Sequence, residues 1–238
     1  MSTRIVPDEL LAFLGAAPEA QAPLARWLSA SPRFAAFADE YRDKIRKKLR
    51  SAAGAEGVRD VLCELETAHA LLREPRFELA YEAHAHSQAR GPDFSLTYRT
   101  HTLCHVEAAR LRASAAPAGE RLHEVVCSKL GQMLPSAMNV LAIATGTALP
   151  SDGELDHALR QLQARAERSD PRVLMRYHFD KRAEFFKCYT RLSAVVLRNG
   201  WEAEAPGPAV LWLNKQARRP LPDPMARALR AAFTPAVL

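Results

Sequence analysis

Between residues 77 and 112, three segments with strand patterning follow one another across connections too short to hold a helix. FELAYEAH (77–84), DFSLTYR (93–99) and HTLCHVEAARLR (101–112) are rich in aromatic and apolar residues set against polar ones at a period of two. The turn signal SQARGP separates the first pair, and a tight connection around Arg99–His101 joins the second, so the run predicts a three-stranded meander. Such a sheet has an apolar face that must be covered, and the neighbouring segments are patterned to cover it.

Those neighbours read mainly as helices. Residues 8–16 and 20–50 carry helical spacing, with Leu24, Trp27, Leu28, Phe34, Phe37, Tyr41, Ile45 and Leu49 at threes and fours and a break near Ser31-Pro32. After Gly54 and Gly57, residues 57–73 form an amphipathic stripe through Val58, Val61, Leu62, Leu65, Ala68, Leu71 and Leu72. Beyond the meander, a helix is expected over about 119–133, and NVLAIAT (139–145) fits a buried strand. Helices at 152–168 and 179–190, strands at 192–198 and 209–214, and a short helix at 223–232 complete the chain. This order predicts an α/β fold, a mixed central sheet flanked by helices, with residues 1–53 as an N-terminal helical extension and 54–238 as the main domain. A chain of 238 residues that is 48% hydrophobic is large enough to bury such a core.

The chemistry lies in GPDF (91–94) and HVEAA (105–109). The hairpin brings Asp93 and Glu107 towards one edge of the sheet, and alternation puts His105, Glu107 and Ala109 on one face, with Cys104, Val106 and Ala108 on the other. Asp after Pro is common in turns, but Glu107 stands in an apolar strand, where a lone charge is costly unless paired or metal-bound. Phosphodiester hydrolysis requires an attacking hydroxide and relief of charge at the phosphate, and a hard divalent cation on carboxylate oxygens supplies both.

This pattern resembles the PD-(D/E)XK, or restriction-endonuclease-like, nuclease superfamily over residues 57–145: a helix, the meander, the next helix and the strand after it. The resemblance implies a restriction-endonuclease-like core in which Asp93 and Glu107 hold Mg2+ or Mn2+. Glu64 on the preceding helix is the third candidate ligand, ahead of Glu66. The sequence departs from the family where a lysine should follow Glu107 by two residues, because that position is Ala109. Some relatives carry this lysine, or a glutamine, on the following helix, which makes Lys129 and Gln132 the candidates to restore the site. His105 is an alternative base beside Glu107, and Glu82 an alternative lining residue. Without such a rescue the chain would be a catalytically inactive relative that binds nucleic acid or a partner protein. The segments NVLAIAT, RLSAVVLR and VLWLN are also similar to those of a group of bacterial proteins with this core.

The formal charge of +6 permits a polyanionic partner. YRDKIRKKLR (41–50) gathers Lys44, Arg46, Lys47, Lys48 and Arg50, either as a solvated helix face or as a phosphate-contacting patch. DNA is favoured over RNA, and a homodimer is expected by analogy with two-site nucleases. Cys63, Cys104, Cys127 and Cys188 sit in apolar segments without CxxC spacing and read as free thiols in a reducing cytoplasm. Alternation opposes a zinc site built from His101, Cys104, His105 and Cys127, and His84 and His86 share one strand face near a polar strand end. No signal-peptide pattern and no apolar run of membrane-spanning length is read, and no GxxxxGK[ST], GxGxxG or GxSxG sequence is present. Trp201 and Trp212 are expected to pack in the core or at an interface, with base stacking as the sharper alternative.

Overall fold

A computed structural model describes residues 7–15, 17–82, 91–146, 148–203 and 207–234. The chain divides into two compact units, Met1–Pro75 and Arg76–Leu238. The expected junction at 53/54 therefore falls inside the first unit, because the long helix after Gly54 packs on the helices that precede it.

The first unit is helical: α1 (Pro7–Leu14), α2 (Pro18–Ala30), α3 (Pro32–Glu40), α4 (Arg42–Ser51) and α5 (Gly54–Leu72). The helical stretch expected over 20–50 is broken twice. At the first break the Ser31 side chain accepts the Phe34 N–H and Pro32 opens α3, a combination legible in the sequence. The second break is at Tyr41 (φ −102, ψ 17), where no breaker residue announces it. Trp27 meets Phe34 edge-on at 6.2 Å and stacks on His69 at 6.0 Å, which ties α2, α3 and α5 together. Arg33 Nη1 donates to the carbonyls of Leu72 at 2.6 Å and Glu74 at 2.8 Å, satisfying acceptors at and just beyond the end of α5.

The second unit is built on a six-stranded sheet in the order β1-β2-β3-β4-β5-β6. Its strands are β1 (Phe77–Tyr81), β2 (Phe94–Tyr98), β3 (Thr102–Leu111), β4 (Met138–Thr145), β5 (Leu192–Asn199) and β6 (Val210–Leu213). β1, β2 and β3 form the antiparallel meander; β4 pairs parallel with β3, β5 parallel with β4, and β6 antiparallel with β5. The fold is thus α/β, a mixed sheet flanked by helices. The parallel pairs require crossovers, made by α6 (Ala118–Leu130) and by α7 (Asp152–Glu167), α8 (Pro171–Leu174), a 3-10 turn and α9 (Arg182–Tyr189). Both crossovers cover the same face, as right-handed connections demand. Leu122, Val126 and Leu130 of α6, Leu155, Leu159 and Leu162 of α7, and Phe185 and Tyr189 of α9 bury Leu141, Ile143, Val195 and Leu197 there. On the opposite face of β5, Arg198 lies over the Phe233 ring of α10 (Asp223–Phe233) at 5.8 Å. Sequence periodicity predicts a helix at 179–190 but not the short turns of α8 and the 3-10 segment, whose few residues carry no helical period.

Among the described residues, no helix is long and apolar enough to cross a membrane. Cys63, Cys104 and Cys127 are buried free thiols and Cys188 is a half-buried one. Trp212 packs against the helical layer and donates its indole N–H to Asp156 at 3.2 Å, the packing role expected of it.

Candidate active site on the β2–β3 hairpin and helix α6

The β2–β3 register pairs Phe94 with Val106 and Ser95 with His105. Carried one residue further, it sets Asp93 opposite Glu107, and directly opposed residues project to the same face of the sheet. β3 runs past the start of β2, so its amides beyond Val106 lose their ladder partners on that side. Asp93 takes up the first of them: its Oδ2 accepts the Ala108 N–H at 2.8 Å. The Asp93 backbone is also held, its carbonyl accepting the Glu82 N–H at 2.7 Å. Glu82, at φ 46, therefore shapes the end of β1 beside the site.

Glu107 faces the α6 layer, on the same side as Ala109 and the paired Leu141. Only 3% of its side chain is exposed, and Lys129, one residue before the end of α6, donates from Nζ to its Oε1 at 2.5 Å. The Lys129 side chain remains 26% exposed, so the ammonium bridges the buried carboxylate and the surface. A lysine in the last turn of a helix also lies favourably in the helix dipole. His105, buried on the same face, has Nδ1 3.1 Å from Ser95 Oγ. The structure therefore brings together Asp93, Glu107 and Lys129, with His105 and Ser95 next along the strands.

The sequence places Gln132 on the same helix as Lys129. α6 instead ends at Leu130, and Gln132 lies in the following turn, its N–H bonded to the Lys129 carbonyl at 3.0 Å. Gly131 and the approach to Pro135 end the helix earlier than hydrophobic spacing suggests. Ala109 is half-buried against the helical layer and carries no charge, while Arg110 alternates to the other face.

Glu64 belongs to the first unit, where its carboxylate, 16% exposed, is engaged by Lys48. That pairing also divides the basic patch of α4. Lys48 turns to Glu64, Lys44 lies over the Tyr41 ring at 5.6 Å, and Arg46 lies over the Phe13 ring at 5.0 Å. Lys47 and Arg50 are exposed, and with Arg46, Asp43 and Ser51 they line a shallow cleft of about 410 Å3. The five basic residues read as one patch thus do not act as one face. The helix buries Ile45 and Leu49, and residues beside that stripe are drawn to neighbours.

Hard-cation chemistry fits the donor set on the hairpin: two carboxylates on adjacent strands, Asp93 oriented by the Ala108 amide and Glu107 by Lys129. Among the described residues, no group of three or more His, Cys, Asp and Glu is arranged to hold a metal. A cation here would thus take two protein carboxylates and complete its shell with water or phosphate, a usual arrangement for magnesium. Cys104 and His105 point to opposite faces of β3; His84 and His86 lie outside the described residues. Compared with family models, with curated proteins and with solved structures, the chain finds no match.

Proposed function

We propose that this protein is a metal-dependent nuclease of the PD-(D/E)XK type that hydrolyses phosphodiester bonds in DNA, with Asp93 and Glu107 as the residues that would hold Mg2+ or Mn2+. The observation that carries the reading is the contact of Lys129 Nζ with Glu107 Oε1 at 2.5 Å. It supports a site in which the ammonium missing at Ala109 comes from α6 instead. A bound divalent cation would supply an activated water and charge relief at the phosphate. Asp93 and Glu107 orient the reacting centre, and Lys129, partly exposed beside them, stabilises the charge that develops on the phosphoryl oxygens. His105, fixed by Ser95, is placed to accept a proton from the attacking water. Arg46, Lys47 and Arg50 of α4 contribute contacts to backbone phosphates, and a homodimer would supply a second site for a second strand.

The same ion pair supports a second reading. Glu107 already has a cation, so the chain serves as a binding-only relative if Lys129 is not displaced from it. Incubation of single- and double-stranded DNA and of RNA with Mg2+, Mn2+ or EDTA decides between them. Metal-dependent cutting that is lost in Glu107→Gln and reduced about 10²–10³-fold in Lys129→Met is expected for the nuclease. Cutting undiminished in Glu107→Gln overturns the site. Binding without cutting under every condition leaves the second reading.

A further inference from the structure

The connection between β2 and β3 is held in a conformation its residues do not favour. Arg99 has φ 55 and Thr100 has φ 152, regions in which glycine is the usual occupant. Non-glycine residues kept in such regions cost stability, and strain of this kind concentrates at sites of function. What it achieves here is the placement of charge. The Arg99 guanidinium lies 5.3 Å from the centre of the Tyr98 ring, and that of Arg76 lies 5.5 Å from the same ring. Arg76 Nη1 also donates to the Tyr98 hydroxyl at 3.2 Å, and its carbonyl accepts the Arg99 N–H at 2.9 Å. The ring is buried and braced edge-on by Phe77 at 5.7 Å, whereas Arg76 and Arg99 are exposed. A guanidinium laid on an aromatic face still directs N–H donors outward from its edge, and that planar fork matches phosphate oxygens. Two such groups on one ring concentrate positive charge at a single fixed point of the surface.

The tip stands at the far end of the strand that begins at Asp93. Five residues of β2 span about 17 Å, or about five charge spacings along one nucleic-acid strand. Between the two ends, Ser95 and Thr97 alternate onto the Asp93 face and are half-buried, with Leu103 beside Thr97 48% exposed. Glu78, paired with Thr97 on the edge strand, bounds this track with negative charge on its outer side.

We propose that the β2–β3 hairpin tip, through Arg76 and Arg99 stacked on Tyr98, is a second contact for the phosphate backbone of a nucleic acid whose scissile phosphate lies at Asp93 and Glu107. This rests on the nucleic-acid reading of the same hairpin and adds the direction in which the strand runs.

The test is fluorescence anisotropy of labelled single-stranded and duplex oligonucleotides in EDTA, so that binding is read apart from cleavage, at several salt concentrations. Arg99→Gly should lower the slope of log K against log salt by about 0.9 on duplex or about 0.7 on single strands. Its melting temperature should stay level or rise, since glycine accepts φ 55 without strain. Arg99→Lys should recover most of the slope, and Arg160→Ala, at an exposed position on α7, should leave it unchanged. An unchanged slope in Arg99→Gly overturns the inference even if the parent cuts DNA, and so does a parent that binds no oligonucleotide. A reduced slope in a protein that never cuts sustains the contact and removes the nuclease reading alone. Polyglutamate bound as tightly as DNA at equal salt would overturn the nucleic-acid assignment.

Discussion

Replacing Lys129 by methionine removes the cation that faces Glu107 and retains much of the apolar stem. The carboxylate is 3% exposed and its lysine sits at 2.5 Å, so the pair falls in the class whose disruption costs about 3–5 kcal/mol. Protonation sets a ceiling on that loss. A glutamate with an ordinary value of about 4.3 can be neutralised at pH 7 for about 3.7 kcal/mol, and at pH 5 for about 1 kcal/mol. The destabilisation of Lys129→Met relative to the parent is therefore expected to shrink by about 2–3 kcal/mol between pH 7 and pH 5. The sign follows from proton binding: the folded variant gains by taking up a proton that the unfolded chain holds only at lower pH, so its stability falls as pH rises. Urea unfolding of parent and variant at both pH values measures the difference. At pH 7, millimolar Mn2+ should recover part of the loss, because a cation on Asp93 and Glu107 replaces the ammonium. Glu107→Gln combined with Lys129→Met should be more stable at pH 7 than Lys129→Met alone. A Lys129→Met penalty that is the same at pH 5 and pH 7 would refute the reasoning, since the carboxylate would then not be the group that the lysine supports.

Asp93→Asn retains an oxygen for the Ala108 amide and should unfold near the parent's midpoint while losing metal-dependent activity, whereas Asp93→Ala should cost about 1–3 kcal/mol more by orphaning that amide. His123, buried on α6 with Nε2 2.7 Å from the Ala158 carbonyl, is pushed below its ordinary value by burial, against the opposing pull of that hydrogen bond. Its contribution to stability is complete above about pH 6.5 and is lost as pH falls, so His123→Gln should flatten the change in urea midpoint between pH 7 and pH 5; an unchanged slope would exclude His123 as its source. Burial raises the thiols of Cys104 and Cys127, the latter to about 12. Iodoacetamide at pH 8 should therefore modify Cys188 first in the folded protein, and the other three cysteines only in denaturant, as mass spectrometry would count.

Much of the architecture is written in local pattern. The period-two segments and the tight turn at Arg99–His101 locate the meander, and the apolar run at 139–145 locates β4, because burial on one face or both imposes those patterns directly. Pro92-Asp93 and a glutamate inside an apolar strand likewise mark the acid pair without reference to the rest of the chain. Interactions between distant residues carry no such periodic signal. Lys129 and Glu107 are 22 residues apart, and only the crossover that packs α6 onto β3 brings ammonium to carboxylate. Lys48 reads as one of five equivalent basic residues until the packing of α4 on α5 commits it to Glu64. The Tyr98 clamp is hidden for the same reason: Arg76 and Arg99 converge on one ring only when β1 and β2 pair in register. Side-chain period and turn chemistry are properties of neighbouring residues and can be read from the sequence. Which charges meet depends on strand order and helix packing, and those are decided by the burial of the whole core.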